Sequence, residues 1–307
     1  MKSKNFLSVA DLSPRELELS IESAIRMKDG ESPKPLAGMT VAMLLEKPSL
    51  RTRVSFEIGI RQLGGDCINL GAAEVGLGVR EPVADVARVL DRWVDIIVAR
   101  VFSHDSLLKF AEYANAPIVN ALSDLEHPCQ AMADLLTIRE HRGELRGQRV
   151  AYIGDGNNTA ASLAIACASV GADFVIAAPA DYQIPTHAWG EANRRASESQ
   201  SQVGWVELPQ QAVRDADVVY TDTWVSMGQE SKAEQRVRDF ERYQVTHQLM
   251  ENSAPGAIFM HPLPAHHGEE VSAGMLEHTQ SAVFDQAENR LHAQKAVMEK
   301  VIAERPG

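Results

Sequence analysis

Cysteine is scarce in this chain. Cys67, Cys129 and Cys167 are the three present in 307 residues, an odd number with no Cys-x-x-Cys pair and no zinc-ligand spacing. A disulfide framework and a thiolate-based metal module are thereby set aside, and the pattern fits small buried thiols in a reducing compartment. Positive charge is also short, since 30 Lys and Arg against 42 Asp and Glu leave a net charge of −12. Nucleic acid and anionic membrane both reward a surplus of cations, so neither is expected as the main partner. Any anion site must be a local basic pocket. Long apolar runs are missing as well: the most apolar stretch, 160–180, is divided by Gly171 and Asp173 into a helix and a strand, not one membrane span. The N-terminus reaches Asp11 and Arg15 before a signal-peptide core can form. The protein reads as cytoplasmic, with no membrane partner.

What the chain does have is length for two α/β domains and ordinary globular composition, 45% hydrophobic and 23% charged. Its organising stretch is Glu46-Lys47-Pro48-Ser49-Leu50-Arg51-Thr52-Arg53. An apolar run, Val41 to Leu45, precedes it as a strand. Val54, Phe56, Ile58, Ile60 and Leu63 follow at helical spacing up to Gly64-Gly65. The motif therefore lies at a strand-to-helix turn. Free N–H groups at a helix start favour an anion, and Ser49, Arg51, Thr52 and Arg53 add hydroxyl and guanidinium donors. Taken alone, the same residues also fit a solvated helix start with Ser49 as its N-cap.

Along the chain, Ser13-Pro14-Arg15-Glu16 opens an amphipathic helix to about Met27. Cys67 to Leu70 reads as a strand, Gly71 to Arg80 as a mobile loop, and Glu81-Pro82 as the start of a helix through Leu90. Strands are expected at 95–102, with Arg100 near the C-terminal end where open α/β sheets place ligands, and at 118–122. A helix follows to about Arg139, with His127 and Gln130 three apart at its start. Leu145-Arg146-Gly147-Gln148-Arg149-Val150-Ala151 echoes Leu36-Ala37-Gly38-Met39-Thr40-Val41-Ala42. Each copy would open the first strand of one domain, which supports a boundary near residue 140. Gly154-Asp155-Gly156 after a strand invites a dinucleotide reading. The third glycine is absent and no acidic residue closes the next strand at 173–178, so no cofactor is assigned. Later strands are expected at 218–221 and 257–260. The histidines of 261–267 lack the helical spacing of a typical zinc motif, so no metal is assigned.

Four motifs in order, Ser49-Leu50-Arg51-Thr52, His127-Pro128-Cys129-Gln130, Asp222-Thr223-Trp224-Val225-Ser226-Met227-Gly228 and His261-Pro262-Leu263-Pro264, resemble those of the aspartate and ornithine carbamoyltransferases over nearly the whole chain. The resemblance implies two doubly wound parallel-sheet α/β domains with the active site in the cleft between them. It places a carbamoyl-phosphate-binding domain at 1–140, an amino-acid-binding domain at 141–285, and a C-terminal helix, 286–307, packing back on the first. It also implies that Ser49, Arg51, Thr52 and Arg100 hold phosphate. Leu50 lies among these substrate-binding residues, where the family has Thr. Thr52, Arg100 and His127 would polarise the carbonyl, Gln130 would orient the carbamoyl amide, and Arg290 would close on carbamoyl phosphate. Asn158, possibly with Asn157, Asp222, Ser226 and Met227 would hold the second substrate, with the carbonyls of Pro262 and Leu263 near its amine.

The Ser-Met-Gly string with Asp222 is the pattern of the enzymes that act on L-ornithine, and a carboxylate there would repel aspartate. Pro262 points the other way, since ornithine enzymes usually have Cys at that place. Putrescine, an acylated ornithine or aspartate stay open as the amine, and a non-catalytic metabolite-binding paralogue is the reading from another class. The family's homotrimer borrows residues from a neighbour's 71–81 loop. Gly76 stands where a Gln is usual there, with Arg80 as a candidate substitute.

Overall fold

In the computed structural model, residues 4–226, 228 and 230–304 are described. They form two compact units by contact: 4–136 with 289–304, and those within 137–288. The first contains α1 (Pro14–Lys28), β1 (Thr40–Leu45), α2 (Leu50–Gln62), β2 (Asp66–Gly71), α3 (Ala72–Val75), α4 (Val83–Leu90), β3 (Ile96–Arg100), α5 (His104–Tyr113) and β4 (Ile118–Leu122). The chain leaves it within α6 (Pro128–Arg142). The second contains β5 (Arg149–Ile153), α7 (Asn158–Val170), β6 (Asp173–Ala177), α8 (Thr186–Ser199), β7 (Val203–Val206), α9 (Pro209–Val213), β8 (Val218–Thr221), α10 (Ala233–Phe240), α11 (His247–Met250) and β9 (Ile258–Met260). The chain returns to the first unit within α12 (Val283–Ala303).

Each unit is a doubly wound sheet. The strand orders are β2-β1-β3-β4 and β7-β6-β5-β8-β9, and all ladders are parallel. Parallel strands covered on both faces must be apolar throughout, and β3 is buried at all five positions. Leu44, Val86, Ile97, Leu107 and Phe110 belong to the first unit's core, and Ile153, Val219, Trp224, Phe240 and Phe259 to the second's. Each such side chain contributes about 1.5–3 kcal/mol on burial.

The Leu-x-Gly echo is a repeated construction. In the first unit Asp66 N–H donates to Met39 O at 2.9 Å, and Asp95 both donates its N–H to Thr40 O (2.8 Å) and accepts from Thr40 N–H through Oδ2 (3.0 Å). In the second, Asp173 N–H donates to Gln148 O at 2.8 Å. Asp217 likewise donates to Arg149 O (2.9 Å) and accepts from Arg149 N–H through Oδ2 (2.9 Å). The echoing glycines, Gly38 and Gly147, have φ of 75° and 78°, which glycine adopts without strain. The first strand of each sheet is thus pinned by the aspartate that precedes its neighbour strand.

Several segments differ from expectation. Helix α8, strand β7 and helix α9 stand between the strands expected at 173–178 and 218–221, and α10 and α11 follow before 257–260. Two more differences lie in the first unit. The 71–80 stretch contains a helical turn, α3, closed by Gly71 N–H donating to Glu74 Oε2 at 2.8 Å. Helix α5 is an addition to the expected elements: Ser103 caps it through Asp105 N–H at 3.3 Å, and Leu107 and Phe110 bury its inner face.

The second glycine of the turn after β5 is required by packing. A Cβ on Gly156 would lie 2.3 Å from both Gln183 C and Ile184 N, so the chain at 183–184 already packs where a side chain would go. Gly156→Ala is expected to destabilise the second unit by about 3 kcal/mol or more, in the range of overpacking against backbone that cannot move aside. Chemical denaturation followed by tryptophan fluorescence checks this, and a loss under about 1 kcal/mol would contradict it.

Candidate active site

Helix α2 begins where β1 ends. Ser49 is its N-cap, with extended backbone and Oγ accepting from Thr52 N–H at 3.3 Å. The capping reading of Ser49 is therefore realised, with its Oγ engaged by the helix's own N–H. Leu50 is 75% exposed, so of this residue only the backbone faces the helix start. Thr52 is buried, and Arg100 Nη1 approaches its Oγ1 at 3.5 Å. Register brings the two together, because Leu45 at the end of β1 pairs with Arg100 at the end of β3. The ends are tied by Glu46, whose N–H donates to Arg100 O (2.9 Å) and whose Oε2 accepts from Phe102 N–H (2.9 Å).

His127 and Gln130 reach the same unit's site from the start of α6, and Arg290 reaches it from α12. All three are buried, and Arg290 Nη1 donates to Gln130 Oε1 at 2.6 Å. Burial, with Arg290 and Arg51 nearby, pulls the pKa of the Arg100 guanidinium down to about 10. Burial, then Arg290 and Arg100, hold His127 well below its ordinary range. The arrangement is a cluster of mutually repelling cations around a neutral imidazole, which favours a bound dianion and leaves His127 able to donate a hydrogen bond at neutral pH. Neighbouring Cys129 is pushed up to about 12 by burial and stays a thiol.

A depressed histidine has a stability signature. The unfolded chain takes up a proton near pH 6.5 while folded His127 does not, so stability is lost as pH falls below that value. Between pH 7.5 and 5.5 the wild type should lose about 1.4 kcal/mol more than His127→Gln. Urea titrations at the two pH values measure the difference. Parallel losses would show that His127 protonates in the folded state.

In the second unit Asn157 caps α7, accepting from Thr159 N–H (2.9 Å) and Ala160 N–H (3.1 Å). Its Nδ2 donates to Asp222 Oδ2 at 2.9 Å, and Thr223 N–H donates to Asp222 Oδ1 at 2.8 Å. Asp222 and Asn157 therefore meet at the C-terminal edge of the sheet, beside Asn158 at the first position of α7 and with half-buried Ser226 on the loop after β8. Met227 lies outside the described residues.

Pro262 and Leu263 are half-buried on the loop after β9. Leu263 N–H donates to His261 Nδ1 at 2.9 Å, so His261 carries its proton on Nε2 and donates it to Glu270 Oε1 at 3.2 Å. Burial opposes ionisation of Glu270. Hydrogen bonds from His261 and from His266 N–H outweigh it and hold the carboxyl below its usual range. Ligand atoms of His266, Glu269 and Glu270 lie within 4.8 Å of one another, the one such grouping among the described residues.

Some residues that bond to the motif residues lie outside the motifs themselves. Asp134 accepts from Gln130 Nε2 at 2.8 Å, and the four-residue helical spacing could have found it. Arg236, ion-paired with Asp155, bonds Trp224 O and lies over the Tyr182 and Phe240 rings. Burial raises Asp155 to about 6 despite Arg236. No local pattern joins positions 81 residues apart.

The carbamoyl-P binding domain of the aspartate/ornithine carbamoyltransferases matches residues 4–140, and their Asp/Orn binding domain matches residues 146–301. An ornithine carbamoyltransferase of Symbiobacterium thermophilum is 49% identical over 307 residues, covering 99% of each chain. One of Thermococcus kodakarensis is 47% identical, over 98% of this chain and 97% of its own. Among solved structures, the ornithine carbamoyltransferase of Pyrococcus furiosus is 45% identical with a TM-score of 0.94, covering 98% of both chains. With both domain profiles matched in order and relatives near half-identical from end to end, the chain belongs to the aspartate/ornithine carbamoyltransferase family.

Proposed function

We propose that this chain transfers the carbamoyl group of carbamoyl phosphate to the side-chain amine of L-ornithine, giving citrulline and phosphate. The carrying observation is Asp222 at the edge of the second sheet, gripped by Asn157 and Thr223. A carboxylate there suits the ammonium of an α-amino acid and would repel a second acidic side chain.

In the reaction the neutral amine attacks the carbamoyl carbon, the carbonyl oxygen gathers negative charge, and the carbon–oxygen bond to phosphate then breaks. The amine's proton leaves to the departing phosphate or to water. Ser49, Arg51, Thr52 and Arg100 hold the phosphate, with the backbone N–H of Leu50 at the helix start. Thr52, Arg100 and neutral His127 stabilise the developing oxyanion. Gln130 and Arg290 orient the donor. Asn158, Asp222, Ser226 and Met227 hold the α-amino-acid end, and the carbonyls of Pro262 and Leu263 orient the attacking amine. The 1–140 and 141–285 segments serve donor and acceptor respectively, with 286–307 belonging to the donor side. No step draws on a cofactor or metal.

Pro262 keeps a second amine in view, because proline offers a carbonyl acceptor but neither an N–H nor a titrating thiol. Assaying carbamoyl phosphate with ornithine, putrescine, lysine, aspartate and acetylornithine decides. Ornithine is expected to give the highest kcat/KM. A faster reaction with any other amine overturns the substrate assignment, and no carbamoylated product with any of them overturns the enzyme reading in favour of a metabolite-binding paralogue.

The assembly we propose is a homotrimer in the cytoplasm. No helix among the described residues is long and apolar enough to cross a membrane. Val54, Ile58 and Ile68 on α2 and edge strand β2 are exposed, as is Val79 at 94%. A face of this kind favours association with another copy. Gly76 has φ 55°, and a Cβ there would lie 2.7 Å from Arg80 Cβ, so a glutamine at this position would strain the turn. Arg80, exposed beside it, supplies the polar group for a neighbour. Sedimentation of an active enzyme as a monomer would refute the trimer.

A further inference from the structure

Gln130 presents an amide whose two ends have opposite hydrogen-bonding sense, and both ends are engaged. Its Nε2 donates to Asp134 Oδ1 at 2.8 Å, one turn further along α6, while its Oε1 accepts from Arg290 Nη1 at 2.6 Å. Gln130 is 1% exposed and Asp134 is 0% exposed, so bulk water does not offer either end an alternative partner. Turning the amide over would set oxygen against the Asp134 carboxylate and nitrogen against the Arg290 guanidinium. Acceptor would then face acceptor, and donor would face donor.

We infer that Asp134 is a positioning residue for donor selectivity: by accepting from Gln130 Nε2 it aims Gln130 Oε1 at the place where a carbamoyl NH2 must donate. The inference rests on the carbamoyl-transfer reading above and adds a residue that does not itself touch the substrate. A carboxylate is suited to this task because an ionised Asp only accepts. An asparagine in its place can turn its own amide and donate to Gln130, so the reversed orientation is then opposed by Arg290 alone instead of by both partners. An acyl phosphate carrying CH3 in place of NH2 has no hydrogen for Oε1. Discrimination between the two therefore depends on which end of Gln130 faces the donor.

The test compares two stable analogues that differ only in that group, phosphonoacetamide and its methyl ketone counterpart 2-oxopropylphosphonate. Calorimetry on the intact enzyme measures both. Wild type should bind the amide at least about tenfold more tightly, the worth of one good hydrogen bond in a buried site. In Asp134→Asn the preference should fall to about threefold or less, with the methyl ketone affinity nearly unchanged. Combining Asp134→Asn with Gln130→Glu should restore the preference. The carboxylate introduced by Gln130→Glu can only accept, and it is held by Arg290 and by the amide nitrogen that Asp134→Asn supplies.

A merely structural role for Asp134 would lower both affinities together and would not respond to the exchange. A preference in Asp134→Asn within twofold of wild type, or a double variant that stays unselective, overturns the inference. If the single variant fails to fold, the double variant compared with wild type decides by the same criterion. Wild type that carbamoylates no amine overturns the functional reading itself.

Discussion

Arg100→Met should raise the melting temperature of the ligand-free protein and at the same time cut kcat/KM for carbamoyl phosphate by about 10³-fold or more. Arg100 is 6% exposed at the end of β3, its Nε has no hydrogen-bond acceptor among the described residues, and the nearby Arg290 and Arg51 repel it. A fall from its ordinary value to about 10 corresponds to about 3 kcal/mol of unfavourable environment for the charged form. A methionine of similar length keeps the packing and removes that strain. The sign is uniform with pH: the guanidinium stays charged in folded and unfolded chains up to about pH 9, so the gain should be flat from about pH 6 to 9. Inorganic phosphate, which supplies the missing counter-charge, should stabilise the wild type markedly and the variant little. Scanning calorimetry with and without phosphate, alongside steady-state kinetics, reads all of this. A variant that is less stable and still active would place Arg100 in the scaffold instead of the phosphate site.

Asp222→Asn should raise the KM for ornithine by about 10- to 100-fold and leave the KM for carbamoyl phosphate within about twofold. The substitution is isosteric, and the new amide can still accept from Thr223 N–H, so the turn after β8 should survive. What it removes is the charge that an ammonium needs, together with the strong acceptor for Asn157 Nδ2. Only the amine substrate carries an ammonium, so the loss should be one-sided. Equal losses for both substrates would make Asp222 a structural residue of the loop. A gain in aspartate turnover would show that its carboxylate had been excluding acidic amines, which supports the same assignment.

Much of the site is legible in local chemistry. Ser49 and Arg51 sit on a strand-to-helix turn because Val41 to Leu45 can only be a covered strand and Gly64-Gly65 can only end the helix. The Leu-x-Gly echo marks the first strand of each sheet because the same left-handed glycine and the same aspartate bonds start both. Leu50 reads differently in three dimensions: its motif position suggests a ligand, but the first residue of a helix directs its side chain outward here.

Residue order along the chain was enough to set where each unit's strands end and which residue types gather there. Strand ends follow from apolar runs and glycines, and helix starts from capping residues, all governed by neighbours a few positions away. Which of those groups share a charge environment depends on the folded packing alone. Arg51, Arg100 and Arg290 come from three separate elements, and their mutual repulsion exists only once α2, β3 and α12 bring them together. The neutral state of His127, the orientation of the Gln130 amide and the Arg236 clamp on Asp155 are likewise products of burial and long-range pairing. Hydrogen bonds and desolvation act over a few ångströms in space, and nothing in the spacing of residues along the chain encodes that distance.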